Sequence, residues 1–485
     1  MSNTDLSIAI IGAGPSGIAA GYELRRRGFS NFTIFDKQDA PGGTWHLHSY
    51  PGLACDLWAH SYSFSYRRNP DWSQNFVDQP EIEAYLQQCV REFGLEPHLT
   101  LNTTIATAHY QQDAKNWQLT TTDGESMTFD VVINAMGGQH TAIFPDVPGI
   151  DSFTGDAWHS TYWNHDVDLA GKRIVVVGSA AAAVQIVPKI AEQAGHLTVL
   201  QRTPNWIMPR NCKPYSPLLR FLFRHVPGFL WLWVKIQGLM MSATVDGVTL
   251  NHKRMDQFEG MVHDFLARTI DDPSLREALT PKTRYGCKRG LVSDEFYPTL
   301  TRDNVELVAE GLGAVTADGI VTASGRQIEA DVIIYCTGYS VLDFDRIDVR
   351  GRNGQSLAEQ MQREPVAYKG IAAPGFPNYF FTAGPNGLAI NVSYFTNVER
   401  NAESIVNLLR AMRECGLKAI DVTQAATNAY NNELAGRFDM YSWGNPSCNS
   451  YYRTESGHAP FLYPGSFAEY KLQHEGCSLD DFQPA

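Results

Sequence analysis

Two segments of the sequence follow one pattern, in which an apolar strand runs through a glycine-rich turn into a helix and then into a second strand. The first segment starts with the apolar run 6–11 and continues as GAGPSG at 12–17. Gly12 permits a tight turn, Gly14 leaves bare backbone for a phosphate, and Gly17 lets the helix pack closely on the strand. Because a helix N-terminus attracts anions, this segment predicts a dinucleotide site.

The second segment repeats this order, with an apolar strand at 172–177 and the turn GSAAAA at 178–183. The later strand of the first segment ends at Asp36, and the later strand of the second segment ends at Arg202. The spacing from the first glycine to that residue is 36 − 12 = 24 in one segment and 202 − 178 = 24 in the other. The two segments are therefore equivalent nucleotide-binding units.

The two units carry opposite charges at their equivalent strand ends. The carboxylate of Asp36 would accept hydrogen bonds from ribose hydroxyls, whereas the guanidinium of Arg202 suits a 2′-phosphate. The second unit therefore favours NADPH over NADH. If NADPH is the reductant there, the first unit takes an ADP-containing acceptor, which is FAD.

The second turn departs from the usual pattern because Ala180 and Ala183 stand where glycines are expected. A methyl group at Ala180 limits the approach of a pyrophosphate, and the alternative is a structural repeat that binds nothing. Two further apolar strands, in 130–137 and 331–338, end in small residues. We expect each of them to close one nucleotide unit.

Bulk composition narrows the functional classes. With 485 residues, 44% apolar and 19% charged, the chain is too apolar for a disordered protein and long enough for two or three folded units. A formal net charge of −13 argues against a general binder of nucleic acids or anionic membranes.

The apolar run 218–241 is interrupted by Arg220, Arg224, Pro227 and Lys235. It predicts a buried or substrate-covering helical insertion, with membrane-surface attachment as the alternative.

The eight cysteines are scattered without a CxxC pair, which predicts a reduced, cytoplasmic protein and disfavours a disulfide reductase. The N-terminal sequence lacks the pattern of a signal peptide. His46 and His48 form an HxH pair without further nearby ligands, so no metal site is predicted. The sequence does not indicate an oligomeric state.

A third motif lies between the two units. Phe153, Gly155, His159 and Trp163 are spaced as F-x-G-x-x-x-H-x-x-x-W in the stretch FTGDAWHSTYWN. This spacing resembles the signature of type I Baeyer-Villiger monooxygenases, a class B flavoprotein monooxygenase family. The resemblance extends along most of the chain through GAGPSG, GGTW, YPGLACD, YSFS, QRTPNW, CKRG, NVELV and GPNG. The sequence CNSYY has Tyr451 where many relatives have tryptophan.

The resemblance implies an α/β fold with two dinucleotide-binding (Rossmann-like) domains and a helical insertion. The expected bounds are 1–150 and 337–485 for a discontinuous FAD domain, 151–208 and 283–336 for the NADPH domain, and 209–282 for the insertion. The implied activity is an NADPH- and O2-dependent oxidation of a ketone to an ester or lactone via a flavin C4a-peroxide. The alternative is a flavin monooxygenase that oxygenates nitrogen or sulfur. Such relatives usually lack a tryptophan at position 163.

Two charged residues are expected, by motif position, to carry the chemistry. Arg289 in CKRG would stabilise the oxyanion that forms when the ketone is attacked, and Asp56 in YPGLACD would orient that arginine. Their contact cannot be derived from the sequence, because 289 − 56 = 233 residues separate them. Lys288 and Thr203 are expected to help Arg202 hold the 2′-phosphate.

His159 has two open interpretations, a proton relay and a structural residue bonded to the backbone of an interdomain connector. Phe153 and Trp163 would be packing anchors of that connector. The expected FAD contacts are Gly12, Gly14, Ser16, Gly17, Asp36, Gly43, Thr44, Trp45, Asp56, Tyr62, Ile105 and Asn386. The expected NADPH contacts are Gly178, Ser179, Ala180, Ala182, Arg202, Thr203 and Lys288.

Overall fold

Short strands alternate with helices along the chain in the order expected of nucleotide-binding units. The computed structural model describes residues 6–448, 452–454 and 457–485, and Tyr451 lies outside them. The strands are β1 Ile8–Ile11, β2 Phe32–Phe35, β3 Leu99–Thr100, β4 Ile105–Gln111, β5 Asn116–Thr121, β6 Ser126–Phe129, β7 Val131–Asn134, β8 Asp156–His159, β9 Arg173–Val177, β10 His196–Leu200, β11 Ile207–Met208, β12 Leu291–Val292, β13 Val305–Val308, β14 Leu312–Thr316, β15 Gly319–Thr322, β16 Gln327–Glu329, β17 Val332–Tyr335, β18 Asp348–Arg350, β19 Tyr379–Phe381, β20 Ile420–Val422 and β21 Phe482–Pro484.

The α-helices are concentrated after the glycine-rich turns, in one insertion and near the C-terminus. They are α1 Pro15–Arg26, α2 Thr44–Leu47, α3 Gln79–Glu92, α4 Ala181–Ile190, α5 Pro217–His225, α6 Phe229–Val248, α7 Lys253–Thr269, α8 Pro273–Leu279, α9 Phe296–Thr299, α10 Leu357–Arg363, α11 Tyr394–Glu414, α12 Gln424–Ala435 and α13 Phe467–Glu475. Within the described residues, no helix has the length and apolar character needed to cross a membrane.

The first unit forms a parallel sheet in the order β19-β7-β1-β2-β3. All four residues of β1 are buried, because its two faces are covered by different layers. Ile8 and Ile10 belong to the core cluster that includes α1 and α11. Ala9 and Ile11 pack instead with residues of β4 and β5, such as Trp117. A continuous apolar strand is the pattern expected where both faces of a parallel sheet are covered.

The second unit forms an equivalent parallel sheet in the order β13-β10-β9-β17-β8. Ile174 and Val176 of β9 pack in the core cluster that includes α4. Val175 and Val177 pack on the opposite side with residues of β14 and β15. The predicted α/β fold with two dinucleotide-binding units is confirmed.

Helices α5 to α8 form an insertion between β11 and β12, which pair with each other in parallel. Two other segments connect the sheets, one leading from β7 towards β8 and the other following β17. These segments pair with each other, because the backbone N–H of Ile143 donates to Gly338 O at 3.0 Å and that of Ser340 donates to Thr141 O at 3.0 Å. The two connections therefore form one short antiparallel ribbon.

Candidate active site

The first glycine-rich turn needs its glycines for steric reasons. Gly12 follows β1 at φ +112°, and a Cβ there would lie 2.6 Å from Ala135 O. A Cβ at Gly17 would lie 1.8 Å from Gly12 O, so the helix and the turn can approach only without it. Gly14 precedes the N-terminus of α1 and lines a cavity of about 940 Å³. The turn thus presents bare backbone to the cavity, as a pyrophosphate site requires.

The carboxylate of Asp36 holds the end of β2 against this turn. Its Oδ2 accepts a hydrogen bond from the N–H of Ala13 at 2.6 Å, and its Oδ1 accepts one from the N–H of Gln38 at 2.9 Å. Asp36 also lines the cavity. The remaining lone pairs of a carboxylate held in this way suit ribose hydroxyl groups.

The segment 43–45 closes over the first turn. Gly43 has φ +58°, and a Cβ there would lie 2.8 Å from the Cα of Gly14. Trp45 donates its indole N–H to the hydroxyl of Tyr62 at 3.1 Å. Several FAD contacts expected from the sequence line the same cavity, namely Gly12, Gly14, Ser16, Asp36, Gly43, Thr44, Trp45, Asp56, Tyr62 and Ile105. Gly17 lies behind the turn and packs on it.

The second glycine-rich turn reproduces the geometry of the first. Gly178 follows β9 at φ +110°, and a Cβ there would lie 2.5 Å from Cys336 O. Ala180 precedes the N-terminus of α4 and is exposed, and Ala182 of α4 lines the cavity. The carbonyl of Ser179 accepts a hydrogen bond from the side-chain amide of Asn205 at 2.9 Å. Both turns therefore belong to the same architecture, although glycines are replaced by alanines in the second.

A second, smaller cavity of about 350 Å³ lies beside the end of β10, and three cationic side chains and one acidic side chain, Glu277, line it. Arg202, Thr203 and Lys288 line it together, as predicted, and Lys282 joins them. Lys288 donates to the hydroxyl of Thr203 at 2.7 Å. Burial, followed by the neighbouring charge of Arg202, lowers the pKa of Lys288. Clustered cations that repel one another are suited to a polyanionic group such as a 2′-phosphate.

Lys288 connects the two cavities, because it lines both of them. The next residue, Arg289, lines the large cavity, and its Nη2 lies 3.8 Å from Asp56 Oδ2. Burial raises the pKa of the Asp56 carboxyl, and the guanidinium groups of Arg289 and Arg210 offset part of that rise. The pair that the resemblance implied is therefore brought together at the cavity wall.

Two residues that the sequence did not single out support Asp56. Gln185 of α4 donates its side-chain amide to Asp56 Oδ1 at 3.2 Å and to Ala54 O at 3.0 Å. Arg210 donates to Cys55 O at 2.9 Å. The only local sequence signal was a polar residue in the mostly apolar helix α4, and the side chain of Gln185 thus joins the second unit to the segment that carries Asp56.

The motif F-x-G-x-x-x-H-x-x-x-W forms the edge strand of the second sheet and the turn after it. A Cβ at Gly155 would lie 2.6 Å from Asp331 O and 2.7 Å from the ring of Phe153. His159 ends β8, and its Nδ1 accepts from the N–H of Thr161 at 3.2 Å. Trp163 packs edge-on against Trp158, with ring centroids 5.6 Å apart. The glycine and aromatic positions of the motif are therefore explained by packing within the motif and against Asp331, the residue before β17.

His159 is buried beside the ribbon, and burial lowers its pKa to about 4. Its ring packs edge-on against Tyr339 and against Phe144, at centroid distances of 5.6 Å in each case. Both partners belong to the two connections between the sheets. This environment favours the structural interpretation of His159 over a proton relay, which needs a pKa nearer to neutrality.

Asn386 lies behind the cavity wall. Its side-chain amide donates to Ala459 O at 3.0 Å and to Leu462 O at 2.6 Å, and its φ of +53° places it in the left-handed region. Its neighbours Gly384 and Leu388 line the cavity, as Leu462 does. Asn386 thus holds a C-terminal loop in place, and its direct contact with FAD stays a prediction.

The cysteines give one correction. Cys287 and Cys448 form a disulfide, with their Cα atoms 5.5 Å apart, so the expectation that all eight cysteines are reduced was wrong. The two cysteines are 161 residues apart, so nothing in the sequence indicated that they pair.

His46 bridges Glu83 and Asp39, with both N···O distances 2.7 Å. Across the described ranges, no group of three or more His, Cys, Asp or Glu could hold a metal ion.

The comparisons with known proteins agree with this geometry. The family model described as "FMO-like: Flavin-binding monooxygenase-like" matches residues 5–371. A Baeyer-Villiger monooxygenase of Streptomyces coelicolor is 36% identical over 478 residues, covering 98% of this chain and 92% of that protein. The chain belongs to the flavin-binding monooxygenase-like family, and its resemblance to Baeyer-Villiger monooxygenases is confirmed.

Solved structures give the same result for the fold. The OTEMO complex with FAD and NADP is 27% identical and superposes with a TM-score of 0.88, covering 99% of each chain. Cyclohexanone monooxygenase from Rhodococcus sp. Phi1 bound to NADP+ is also 27% identical with a TM-score of 0.88, covering 99% of this chain and 98% of that chain. The whole arrangement of two nucleotide units is therefore shared with these proteins.

Proposed function

We propose that this chain uses NADPH, molecular oxygen and bound FAD to insert one oxygen atom next to the carbonyl of a ketone. The balanced reaction converts ketone, O2, NADPH and a proton into an ester or lactone, NADP+ and water. We assign FAD to a domain formed by 1–150 and 337–485, and NADPH to a domain formed by 151–208 and 283–336. The insertion 209–282 covers the cavity.

The observation that carries the proposal is the position of Arg289. It lies in the wall of a cavity that is also lined by the first glycine-rich turn and by Ala181 and Ala182 at the start of α4, next to Lys288 of the smaller cavity and 3.8 Å from Asp56. Apolar residues such as Met241 and Leu388 line the same cavity. A fixed cation in a largely apolar cavity suits a reaction in which negative charge develops on a carbonyl oxygen.

The names of similar proteins support a ketone substrate. One is a cyclohexanone monooxygenase, and another is called a Baeyer-Villiger monooxygenase. The cofactors fit the residues present, because Gly14 and Asp36 line the large cavity, and because Arg202, Thr203 and Lys288 line the smaller one. FAD and NADPH are accordingly the cofactors of this chain.

When bound, NADPH would supply an electron pair and FAD would use it to activate O2, so that one oxygen atom enters the ketone and the other leaves as water. The residues of the chain itself position the reacting groups and stabilise the negative charge that develops on the substrate. Arg289 donates hydrogen bonds to the oxygen on which charge develops, and it remains protonated because a guanidinium keeps its charge in a partly desolvated site. Asp56 orients the guanidinium, and Gln185 orients Asp56 through the 3.2 Å hydrogen bond. Trp45 and Tyr62 pack together beside the cavity and exclude water.

The proposal is tested by incubating the purified holoprotein with NADPH, a ketone panel and 18O2. We expect an ester or lactone that carries one labelled oxygen atom per molecule, with one NADPH consumed for each product. A matched panel of sulfides and tertiary amines serves as the comparison. Formation of labelled sulfoxides or N-oxides without any labelled ester would contradict the proposal and favour the nitrogen- or sulfur-oxygenating alternative.

A further inference from the structure

Helix α6 exposes an apolar stripe and buries a polar residue. Leu232, Ile236, Leu239 and Met240 are exposed to 51%, 47%, 74% and 55%. Their spacing of i, i+4, i+7 and i+8 places them on one face of the helix. Gln237, in contrast, is buried and accepts a hydrogen bond from the hydroxyl of Ser61 at 2.9 Å. This is the reverse of the pattern that water alone favours on a surface helix.

Helix α5 extends the exposed apolar surface. Leu218 and Phe221 are exposed to 68% and 56%. Helix α5 is held against α6 by the ring of Phe223, which lies 5.5 Å from that of Trp233 and 5.6 Å from that of Phe229. We call the exposed apolar residues of these two helices the α5–α6 face. It consists of Leu218, Phe221, Trp231, Leu232, Ile236, Leu239 and Met240. Several exposed large apolar side chains on two neighbouring helices usually mark a contact site.

The segment that carries the α5–α6 face is basic in an otherwise acidic protein. Residues 217–248, which form α5 and α6, contain three lysines and arginines and one acidic residue, Asp246, whereas the whole chain has 52 acidic residues and a net charge of −13. Arg220 and Lys235 are exposed, and Lys235 Nζ lies 4.0 Å from the ring centroid of Trp231. Arg224 forms an ion pair with Asp71. The face therefore combines apolar side chains with positive charge.

We infer that the α5–α6 face docks on the surface of an anionic phospholipid bilayer. Apolar side chains would enter the boundary between headgroups and acyl chains, and Arg220 and Lys235 would lie at the phosphates. Trp231 carries an amphipathic ring of the kind that is enriched at this boundary. Charge complementarity favours lipid over a second copy of the chain, because a two-fold contact through this face would bring like charges together.

The same helix reaches the active-site cavity. Met241, Thr244 and Val248 lie on the inner side of α6 and line that cavity. Docking would therefore place the bilayer surface about one helix diameter, roughly 10 Å, from the cavity wall. If the proposed function holds, an apolar ketone dissolved in the bilayer would have a short path to the site. Docking itself does not depend on the reaction.

The test is co-sedimentation of the full-length holoprotein with vesicles. One vesicle preparation contains equal parts of phosphatidylglycerol and phosphatidylcholine, and the other contains phosphatidylcholine alone. We expect binding to the anionic vesicles that weakens at high salt and is lower on the neutral ones. The Ile236→Glu/Leu239→Glu double variant should lose about tenfold in partitioning for each substitution. Leu472→Glu, at a helical leucine that is 67% exposed on α13, is the matched control and should bind as the wild type does.

The charge contribution is tested separately with Arg220→Glu/Lys235→Glu, which should lower binding to anionic vesicles only. Flavin content and circular dichroism show whether each variant is folded. Three outcomes would overturn the inference: no sedimentation of the wild type with anionic vesicles, wild-type binding by the Ile236→Glu/Leu239→Glu variant, or a dimer in sedimentation velocity that this variant converts to a monomer without vesicle binding. Because protein is measured, the result is independent of whether any ketone is oxidised.

Discussion

Arg289 Nη2 lies 3.8 Å from Asp56 Oδ2, although 289 − 56 = 233 residues separate them in the sequence. The side chain of Asp56 is 16% exposed and that of Arg289 is 45% exposed, so the carboxylate forms the rigid partner and the guanidinium reaches into the cavity. Gln185 fixes the other carboxylate oxygen. The pair therefore positions a cation at the cavity wall.

Replacing Arg289 tests this role. We expect Arg289→Ala to lower kcat for ketone oxidation by about 100- to 1000-fold, because a fixed donor to developing negative charge is lost. Binding of FAD should be retained, and NADPH should still be consumed at a basal rate with hydrogen peroxide as the product. Product formation is measured by gas chromatography. Arg284→Ala, which removes an arginine that pairs with Glu259 on the insertion, is the control. Unchanged ester formation by Arg289→Ala would rule out this assignment.

The cationic pocket at the end of β10 should determine coenzyme preference. Arg202→Gln is expected to raise the KM for NADPH by about 10- to 100-fold, the value of one charge-assisted hydrogen bond to phosphate, and to leave the KM for NADH unchanged. Lys282→Gln should have a smaller effect in the same direction. Steady-state rates with both coenzymes give the ratio. Arg326→Gln, in an exposed pair with Glu306, should alter neither KM. An equal rise in the KM for NADH would show that the pocket does not recognise the 2′-phosphate.

Local sequence was sufficient to predict the parts of the site that lie within one nucleotide unit. The turns at Gly12 and Gly178 and the charged residues Asp36 and Arg202 each lie within a short strand-turn-helix-strand segment, in which spacing fixes geometry. The φ values of +112° and +110° at the two glycines differ by only 2° and are the structural counterpart of the equal spacing. In these segments, the steric and electrostatic constraints that fix the geometry act between residues that are close together in the sequence.

Contacts between distant segments could not be derived in the same way. Gln185 and Arg210 reach the segment around Asp56 only after the two units have packed, and Cys287 meets Cys448 across 161 residues. The hydrogen bonds from the Asn386 amide to the carbonyls of Ala459 and Leu462 were likewise not foreseen from the sequence. Such partners depend on tertiary packing, on which a single sequence carries little information.

The first turn should tolerate no side chain at Gly12. Gly12→Ala combines a positive φ with a Cβ 2.6 Å from Ala135 O, so we expect loss of bound FAD and a melting temperature lowered by several degrees. Gly28→Ala is the matched control, because Gly28 also has a positive φ, +79°, but a Cβ there meets nothing within 4 Å. It should lose some stability and keep its flavin. Flavin absorbance and thermal melts distinguish the two, and full flavin content in Gly12→Ala would contradict the steric argument.

His159 should matter for coupling rather than for flavin binding. His159→Ala removes the acceptor of the Thr161 N–H bond and the ring that packs on Tyr339, so the paired connections between the sheets would lose their fixed position. We expect FAD content to stay near wild type while more NADPH is consumed for each ester formed. His159→Asn, which keeps an acceptor, should restore part of the coupling. The connector role fails if His159→Ala turns over and couples like the wild type.

Buried histidines should make stability fall in mild acid. Burial lowers the pKa of His60 to about 3, with the charge of Arg68 adding to it. The unfolded side chain has a pKa near 6.5, so above that pH the buried neutral histidine does not lower the free energy of unfolding. As the pH falls from 6.5 towards 3, the free energy of unfolding decreases by about 1.4 kcal/mol per pH unit. Burial raises the pKa of Glu399 to about 7, which acts in the opposite direction, so the comparison must be made between variants. Urea unfolding of His60→Phe at pH 7 and pH 5.5 should show a pH dependence smaller than that of the wild type by about 1 kcal/mol. Identical slopes for His60→Phe and wild type would show that His60 is not held neutral by burial.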